Sequence, residues 1–259
     1  MNRRSRVTVA YDGSAFHGFA EDRLRTVMGV LRASIETIVQ QPIHPVGAGR
    51  TDAGVHAWGQ VVSCDLPNDT DLVSLQRRVN RMCGPDVAVR DWRWTDDPDF
   101  SARFSATSRH YRYHVLNSPE PNPFLANTAW HITTPINLWA LRLACDPIIG
   151  EHDFSSFCRR PAIEGEKPPK SMRRMVFSAS WNQVSGDTAG LLRFEIRANA
   201  FCHQMVRALV GSMIDVGLGK ITTADFHQLL LRRDRTGASP VAPPRGLCLW
   251  EVGYPVHIR

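Results

Sequence analysis

One carboxylate stands among small residues in the stretch GAGRTDAGVHAWGQVVS, Gly47 to Ser63. Asp52 lies two positions after Arg50 and four before His56, and the apolar run that follows reads as a strand. Several chemistries are open to it. As a turn residue it would bond its own backbone, which is what most Asp in such contexts do. As a metal ligand it would need companions beyond His56. Paired-carboxylate chemistry lacks its second acid here. A phosphate cradle fits poorly, because a carboxylate repels phosphate and neither a P-loop nor a G-x-G-x-x-G pattern is present. A single carboxylate acting as nucleophile or base completes the set.

Two further stretches carry reactive side chains. In ARFSATSRHYRYHV, Ala102 to Val115, Arg103, Arg109 and Arg112 interleave with Phe104, Tyr111 and Tyr113. Alternate residues of a strand share a face, so Tyr111 and Tyr113 point one way while His110, Arg112 and His114 point the other. Aromatic and guanidinium planes on a sheet stack on splayed RNA bases, and core packing of the tyrosines is the plain alternative. His110 and His114 lack a third ligand nearby. In ANAFCHQMVRALVGSMIDVG, Ala198 to Gly217, the helical spacing puts Arg207 about 200° around the axis from Met205, on the line of His203 and Gly211. The helix is apolar nearly all round. A solvated Arg is the ordinary reading, whereas an Arg on a buried helix requires an anion.

The chain that must position these groups has 259 residues, enough for one large domain or two smaller ones. Its 43% hydrophobic and 22% charged residues are those of a globular protein. The formal net charge is +6, and of 31 basic side chains only Lys167, Lys170 and Lys220 are lysine. Arginine pairs bidentately with phosphate and stacks on planar rings, so this balance suits a nucleic-acid partner. The six Cys form no C-x-x-C pair, which speaks against a zinc ribbon. The basic start MNRRSRVTVAYDG lacks the apolar run of a secretory signal, and no stretch of about 18 apolar residues exists, so a cytoplasmic chain with reduced thiols is expected.

Periodicity gives the order of elements. RVTVAYDG reads as a strand, Val27 to Val39 as a helix opening at Thr26, GQVVSCDL as a strand, Leu72 to Met82 as a helix and VAVRDWRW as a strand. The second half continues with strand SRHYRYHVL, a helix after Asn137, and an antiparallel pair RRMVFSASW and LLRFEIRA. Asn199 is expected to cap the helix carrying Phe201, Met205, Leu209 and Met213, Thr222 to Asp225 forms a capping box, and LCLWEVGY closes as a strand. The fold class is α+β, two halves of similar plan, residues 1–104 and 105–259, with mostly antiparallel strands. CRRPAIEGEKPPKS, Cys158 to Ser171, and DRTGASPVAPPRG, Asp234 to Gly246, are expected to be mobile loops. The first carries Arg159, Arg160, Lys167 and Lys170, placed to close over a polyanion or simply solvated.

The stretches YDGSAFHG, GAGRTDAGVHAWGQVVS, NRMCGPDVAV, ARFSATSRHYRYHV, HDFSSF, ANAFCHQMVRALVG and RGLCLWEV, from residue 7 to about residue 254, are similar in order and spacing to the tRNA pseudouridine synthase A family. The resemblance implies a homodimer that isomerises uridine to pseudouridine in the anticodon stem-loop of tRNA, at positions 38 to 40. It implies pseudo-symmetric α/β subdomains, a central sheet flanked by helices, a basic cleft between them, and no metal or organic cofactor. Asp52 matches the family's catalytic aspartate, Tyr111 its active-site tyrosine and Arg207 the basic residue paired with the aspartate. Arg50 resembles the residue assisting base extrusion, and Thr51, His56, Arg109, Arg159 and Arg160 join it as RNA contacts.

An ionised Asp52 could attack C1′ or C6 or take the C2′ proton, three routes the residues leave open. Opposite charges about 4 Å apart are worth on the order of 4 kcal/mol at an effective dielectric near 20, which would hold a desolvated Asp52 charged beside Arg207. A noncatalytic RNA-binding protein on the same scaffold is the alternative from another class, and an N-glycosidase that hydrolyses the bond is a third. The sequence departs from the family pattern at Gly18, Phe19 and Ala20, where the family generally reads Gly-Trp-Gln, in a shortened loop running to Arg25, and at Met28, where Gln is more usual.

Overall fold

A computed structural model describes residues 1–159, 171–186 and 188–255. It is α+β, with two compact units: Met1–Arg109 together with the C-terminal segment from Cys248, and His110–Leu247.

In the first unit, β1 (Asn2–Tyr11), α1 (Val27–Val39), β2 (Val46–Gly47), β3 (His56–Pro67), α2 (Leu72–Cys83) and β4 (Val87–Trp94) follow in order. The β-α-β-α-β reading holds, with the two-residue β2 added before β3. β1 lies between β3 and β4, antiparallel to both, and its alternation puts Val7 and Val9 on one buried face. Thr26 caps α1 by accepting the Gly29 N–H at 3.2 Å, and Val27, Met28, Leu31 and Ile35 form its buried stripe. α2 buries Leu75, Val79 and Cys83, while Met82, expected on that stripe, is half exposed. The Cys83 thiol instead takes the inward position, donating to the Ser34 hydroxyl of α1 at 3.1 Å.

The second unit contains β5 (Ser108–Asn117), β6 (Trp130–Ile132), α3 (Leu138–Leu143), β7 (Gly150–Asp153), β8 (Arg173–Gln183), β9 (Leu191–Ala198), α4 (Met205–Gly217) and α5 (Thr223–Arg232). Its strands run in the order β5-β9-β8-β7, with β7, β8 and β9 antiparallel and β6 parallel to β5. The last strand, β10 (Leu247–Gly253), returns to the first unit, where Cys248 and Leu249 pair in parallel with His56 and Ala57 of β3. Asn137 caps α3, and Thr222 with Asp225 forms the expected capping box of α5.

Two expectations are corrected. Asn199 does not cap α4: its Oδ1 accepts the Met175 N–H at 3.1 Å and the Ala200 N–H at 2.7 Å, tying β8 to the end of β9. The helix starts six residues later, after Gln204 in a left-handed conformation at φ 64°. The segment Asp234–Gly246, expected as a loop, includes two short 3-10 turns, Arg235–Gly237 and Pro244–Gly246, and bonds to the rest of the second unit through Ser239, Ala242 and Pro243. The basic loop from Arg160 to Lys170 lies outside the described residues.

Candidate active site

The loop that carries Asp52 is held at nearly every neighbouring residue. The Ala48 N–H donates to the Val61 carbonyl at 2.8 Å, extending the edge pairing of β2 with β3. Gln60, fully buried in β3, turns its amide on Gly49: Nε2 donates to the Gly49 carbonyl at 2.7 Å and Oε1 accepts the Gly49 N–H at 3.3 Å. A primary amide is the one side chain able to copy a strand's donor–acceptor pair, which satisfies a loop residue that has no strand partner.

Beyond the exposed Arg50, Thr51 is 8% exposed. Its Oγ1 lies 2.8 Å from the Tyr11 hydroxyl, and its carbonyl accepts the Phe19 N–H at 3.1 Å. The Asp52 carbonyl accepts the Val55 N–H at 3.2 Å, closing a turn that needs the positive φ of Gly54. The Asp52 residue itself is partly buried, held between these two anchors.

His56 follows at the start of β3, 8% exposed. Its Nδ1 accepts the Gly13 N–H at 3.1 Å and lies 3.2 Å from Asp12 Oδ1. One nitrogen cannot accept and donate at once, so the amide contact uses a bare Nδ1 and the Asp12 contact an Nδ1–H. Burial works against the charge of Asp12, but the Ser14 N–H and hydroxyl and His56 outweigh it and hold its carboxyl below the usual range.

Arg109 also braces this loop. Its guanidinium donates to the carbonyls of Ala48 at 3.2 Å, Arg103 at 2.8 Å and Ala106 at 3.2 Å. Of the residues singled out from the sequence, Arg50, Thr51, Asp52, His56 and Arg109 therefore gather at one place in the first unit. Thr51, His56 and Arg109 direct polar atoms at the chain itself.

In the second unit Tyr111 and Tyr113 are buried on β5, and the opposite face is polar, as alternation requires. The Tyr111 ring meets Phe201 edge-on with centroids 5.1 Å apart. The polar face converges on Glu195 of β9: Arg112 Nε donates to Oε1 at 2.6 Å, His110 Nε2 lies 3.5 Å from the same oxygen, and Arg193 lies 3.6 Å from Oε2. His110 is thereby placed in an ion-pair cluster. Among the described residues no group of three His, Cys, Asp or Glu is gathered to hold a metal.

Arg207 projects from α4, in which all thirteen residues except Arg207 and Asp215 are buried. Its Nε donates to the Ala242 carbonyl at 2.8 Å, and the Ala242 N–H returns to the Arg207 carbonyl at 3.1 Å. Tyr113 supports the same strap by donating its hydroxyl to the Pro243 carbonyl at 2.8 Å. Burial pushes the Tyr113 phenol up from its ordinary value, against the opposing charges of Arg207 and Arg245, so the hydroxyl stays a donor. Arg159 is exposed, and its N–H donates to the His203 carbonyl at 3.0 Å; Arg160 lies outside the described residues.

Sequence reasoning gave no site role to Tyr11, Phe19, Gln60 or the Ala242 strap, and it put Phe201 on α4, which begins only at Met205. Gln60 left one signal, an amide in the middle of the apolar run GQVVS, which demands a partner once buried.

No helix is long and apolar enough to cross a membrane among the described residues. The sequence profile described as tRNA pseudouridine synthase matches residues 144–255. The tRNA pseudouridine synthase A of Chromobacterium violaceum is 38% identical over 255 residues, covering 95% of this chain and 91% of that protein. The enzyme of the same name from Leifsonia xyli is 40% identical, covering 98% and 92%, and that of Bacillus subtilis 35% identical, covering 97% and 99%. The chain belongs to the tRNA pseudouridine synthase A family, whose members are isomerases.

Proposed function

We propose that this chain converts uridine to pseudouridine in the anticodon stem-loop of tRNA, at positions 38 to 40, with Asp52 as the essential carboxylate. The observation that carries the reading is the loop itself. Asp52 is partly buried, the residues before it are fixed by Tyr11, Phe19, Gln60 and Arg109, and the Val55 N–H closes the turn after it, as a reacting group must be held.

The reaction breaks N1–C1′, turns the uracil and joins C5 to C1′, after which the C5 proton leaves and N1 is protonated. The atoms balance without a co-reactant. Asp52 serves as the ionised group that attacks the nucleotide or removes its proton. Tyr111 stacks on the uracil and takes up the C5 proton, and Arg207 completes the proposed catalytic set as its basic residue. Arg50, an exposed member of the loop, takes the place of the extruded nucleotide. Thr51, His56 and Arg109 act on RNA through the shape of the loop, and Arg159 with the basic segment after it contacts phosphate. The enzyme works as a homodimer in the cytoplasm.

Incubation with tRNA tritiated at C5 of uridine tests this. Wild-type protein releases tritium to water, and Asp52→Asn releases none. Equal release from the two proteins refutes the assignment. Tight binding without release favours the noncatalytic RNA-binding reading, and free uracil with an abasic site favours hydrolysis.

A further inference from the structure

Tyr11 closes β1 at a place where the sheet register slips. Val9 faces Gln60 and Tyr11 faces Ala57, so β3 carries an extra residue between these pairs. Because the extra residue is in β3, β1 keeps its alternation through Val7 and Val9, and the Tyr11 ring stays on the buried face, 5% exposed, where its hydroxyl meets Thr51 Oγ1 at 2.8 Å. A buried phenol requires a hydrogen-bond partner, and a buried threonine hydroxyl does too. Each satisfies the other.

The ring is itself immobilised. It stacks on Phe19 with centroids 5.9 Å apart and planes 26° from parallel. Phe19 is locked from three sides. Its carbonyl accepts the Met28 N–H at 3.0 Å, its N–H reaches the Thr51 carbonyl, and its ring lies so close to Gly47 that a Cβ there would fall 2.2 Å from the ring edge. Gly18, at φ +100°, lets the chain pass 3.0 Å from the Thr51 carbonyl, counted from where a Cβ would stand. Thr51 is thus gripped by its side chain from Tyr11 and by its backbone from Phe19, one residue before Asp52.

We infer that Tyr11 is a positioning residue, which sets the direction of the Asp52 carboxylate by holding the Thr51 side chain. This rests on the reading of Asp52 given above. Two grips on one residue fix both its backbone and its side chain, whereas the Phe19 bond alone leaves the Thr51 side chain free to turn. A displacement of about 1 Å in a reacting group lowers a rate about a hundredfold, so one lost hydroxyl has a visible kinetic effect.

The test compares Tyr11→Phe, Thr51→Val, their double variant and Thr51→Ser in single-turnover tritium release, alongside tRNA affinity. Tyr11→Phe and Thr51→Val each slow the step by about ten- to a hundredfold with tRNA affinity little changed. The double variant is no slower than the slower single, because one bond serves both residues. Thr51→Ser, which keeps the hydroxyl, runs close to wild type. Thermal melts identify any variant that fails to fold, and the Thr51 pair then carries the comparison. A wild-type rate in Tyr11→Phe, multiplied losses in the double variant, or affinity falling in step with rate each overturns the inference. Asp52→Asn in the same assay separates the two readings. If it remains active, the assignment of Asp52 fails. If it is inactive while Tyr11→Phe is unaffected, only the role of Tyr11 fails.

Discussion

Arg207 and Ala242 bond reciprocally, the guanidinium Nε to the Ala242 carbonyl at 2.8 Å and the Ala242 N–H to the Arg207 carbonyl at 3.1 Å. The contact joins a buried helix to the strap that crosses it and fixes the guanidinium plane. An arginine whose Nε is engaged in this way presents its remaining N–H groups in one direction. Lysine has no equivalent of that fork.

Arg207→Ala is therefore expected to abolish tritium release while tRNA binding is retained, and Arg207→Lys to recover little of the rate. Filter binding and single-turnover assays measure the two separately. Uniformly weakened binding with unchanged turnover would show that Arg207 meets phosphate instead.

Gly211 lies one helical turn beyond Arg207, and a Cβ there would sit 2.1 Å from the Pro240 carbonyl oxygen. Alanine improves the helix by about 1 kcal/mol, but pushing the strap's backbone away costs about 1–3 kcal/mol and loosens Ala242 from Arg207. Gly211→Ala is expected to lower both the urea midpoint and the rate. A raised midpoint with full activity would contradict the strap's role.

Gln60→Leu keeps the side chain's bulk but removes both partners of Gly49. The Gly49 N–H and carbonyl are then left unpaired, which costs about 1–3 kcal/mol. Urea unfolding is expected to show that loss, and tritium release a slower step, since the Asp52 loop loses its anchor to β3.

His114 gives a pH dependence with a definite sign. Burial, then the charges of Arg193 and Arg112, hold its imidazole down at about 4 against an ordinary 6.5, with Glu195 opposing. The folded ring stays neutral while the unfolded chain takes up a proton as pH falls through about 6.5. Its contribution is complete above that pH, shrinks between about 6.5 and 4, and changes no further below. The range corresponds to up to about 3 kcal/mol. Between pH 7 and 4.5, His114→Gln is expected to lose less stability than wild type in denaturant titrations. Parallel losses in the two proteins would refute it.

Much of the architecture was legible in local patterns. Alternation placed Tyr111 and Tyr113 on one face of β5, helical spacing marked α1 and the all-round apolar α4, and Thr26 and Thr222 announced their helices as caps. These are properties of neighbours within a turn or two, which the order of residues carries directly. Asp52 was also conspicuous, because a charged residue among glycines stands out and its surrounding motifs are long.

What holds the candidate residues in place was not legible. Thr51 bonds to Tyr11 forty positions away, Arg109 to Ala48 sixty-one positions away, and Arg207 to Ala242 thirty-five positions away. Asn199 has the composition of a helix cap, yet its oxygen went to Met175 on the neighbouring strand. Composition and periodicity name the donors and acceptors, but a hydrogen bond has a reach of about 3 Å. Which partners come within that reach is decided only when the strands find their register and the chain closes on itself.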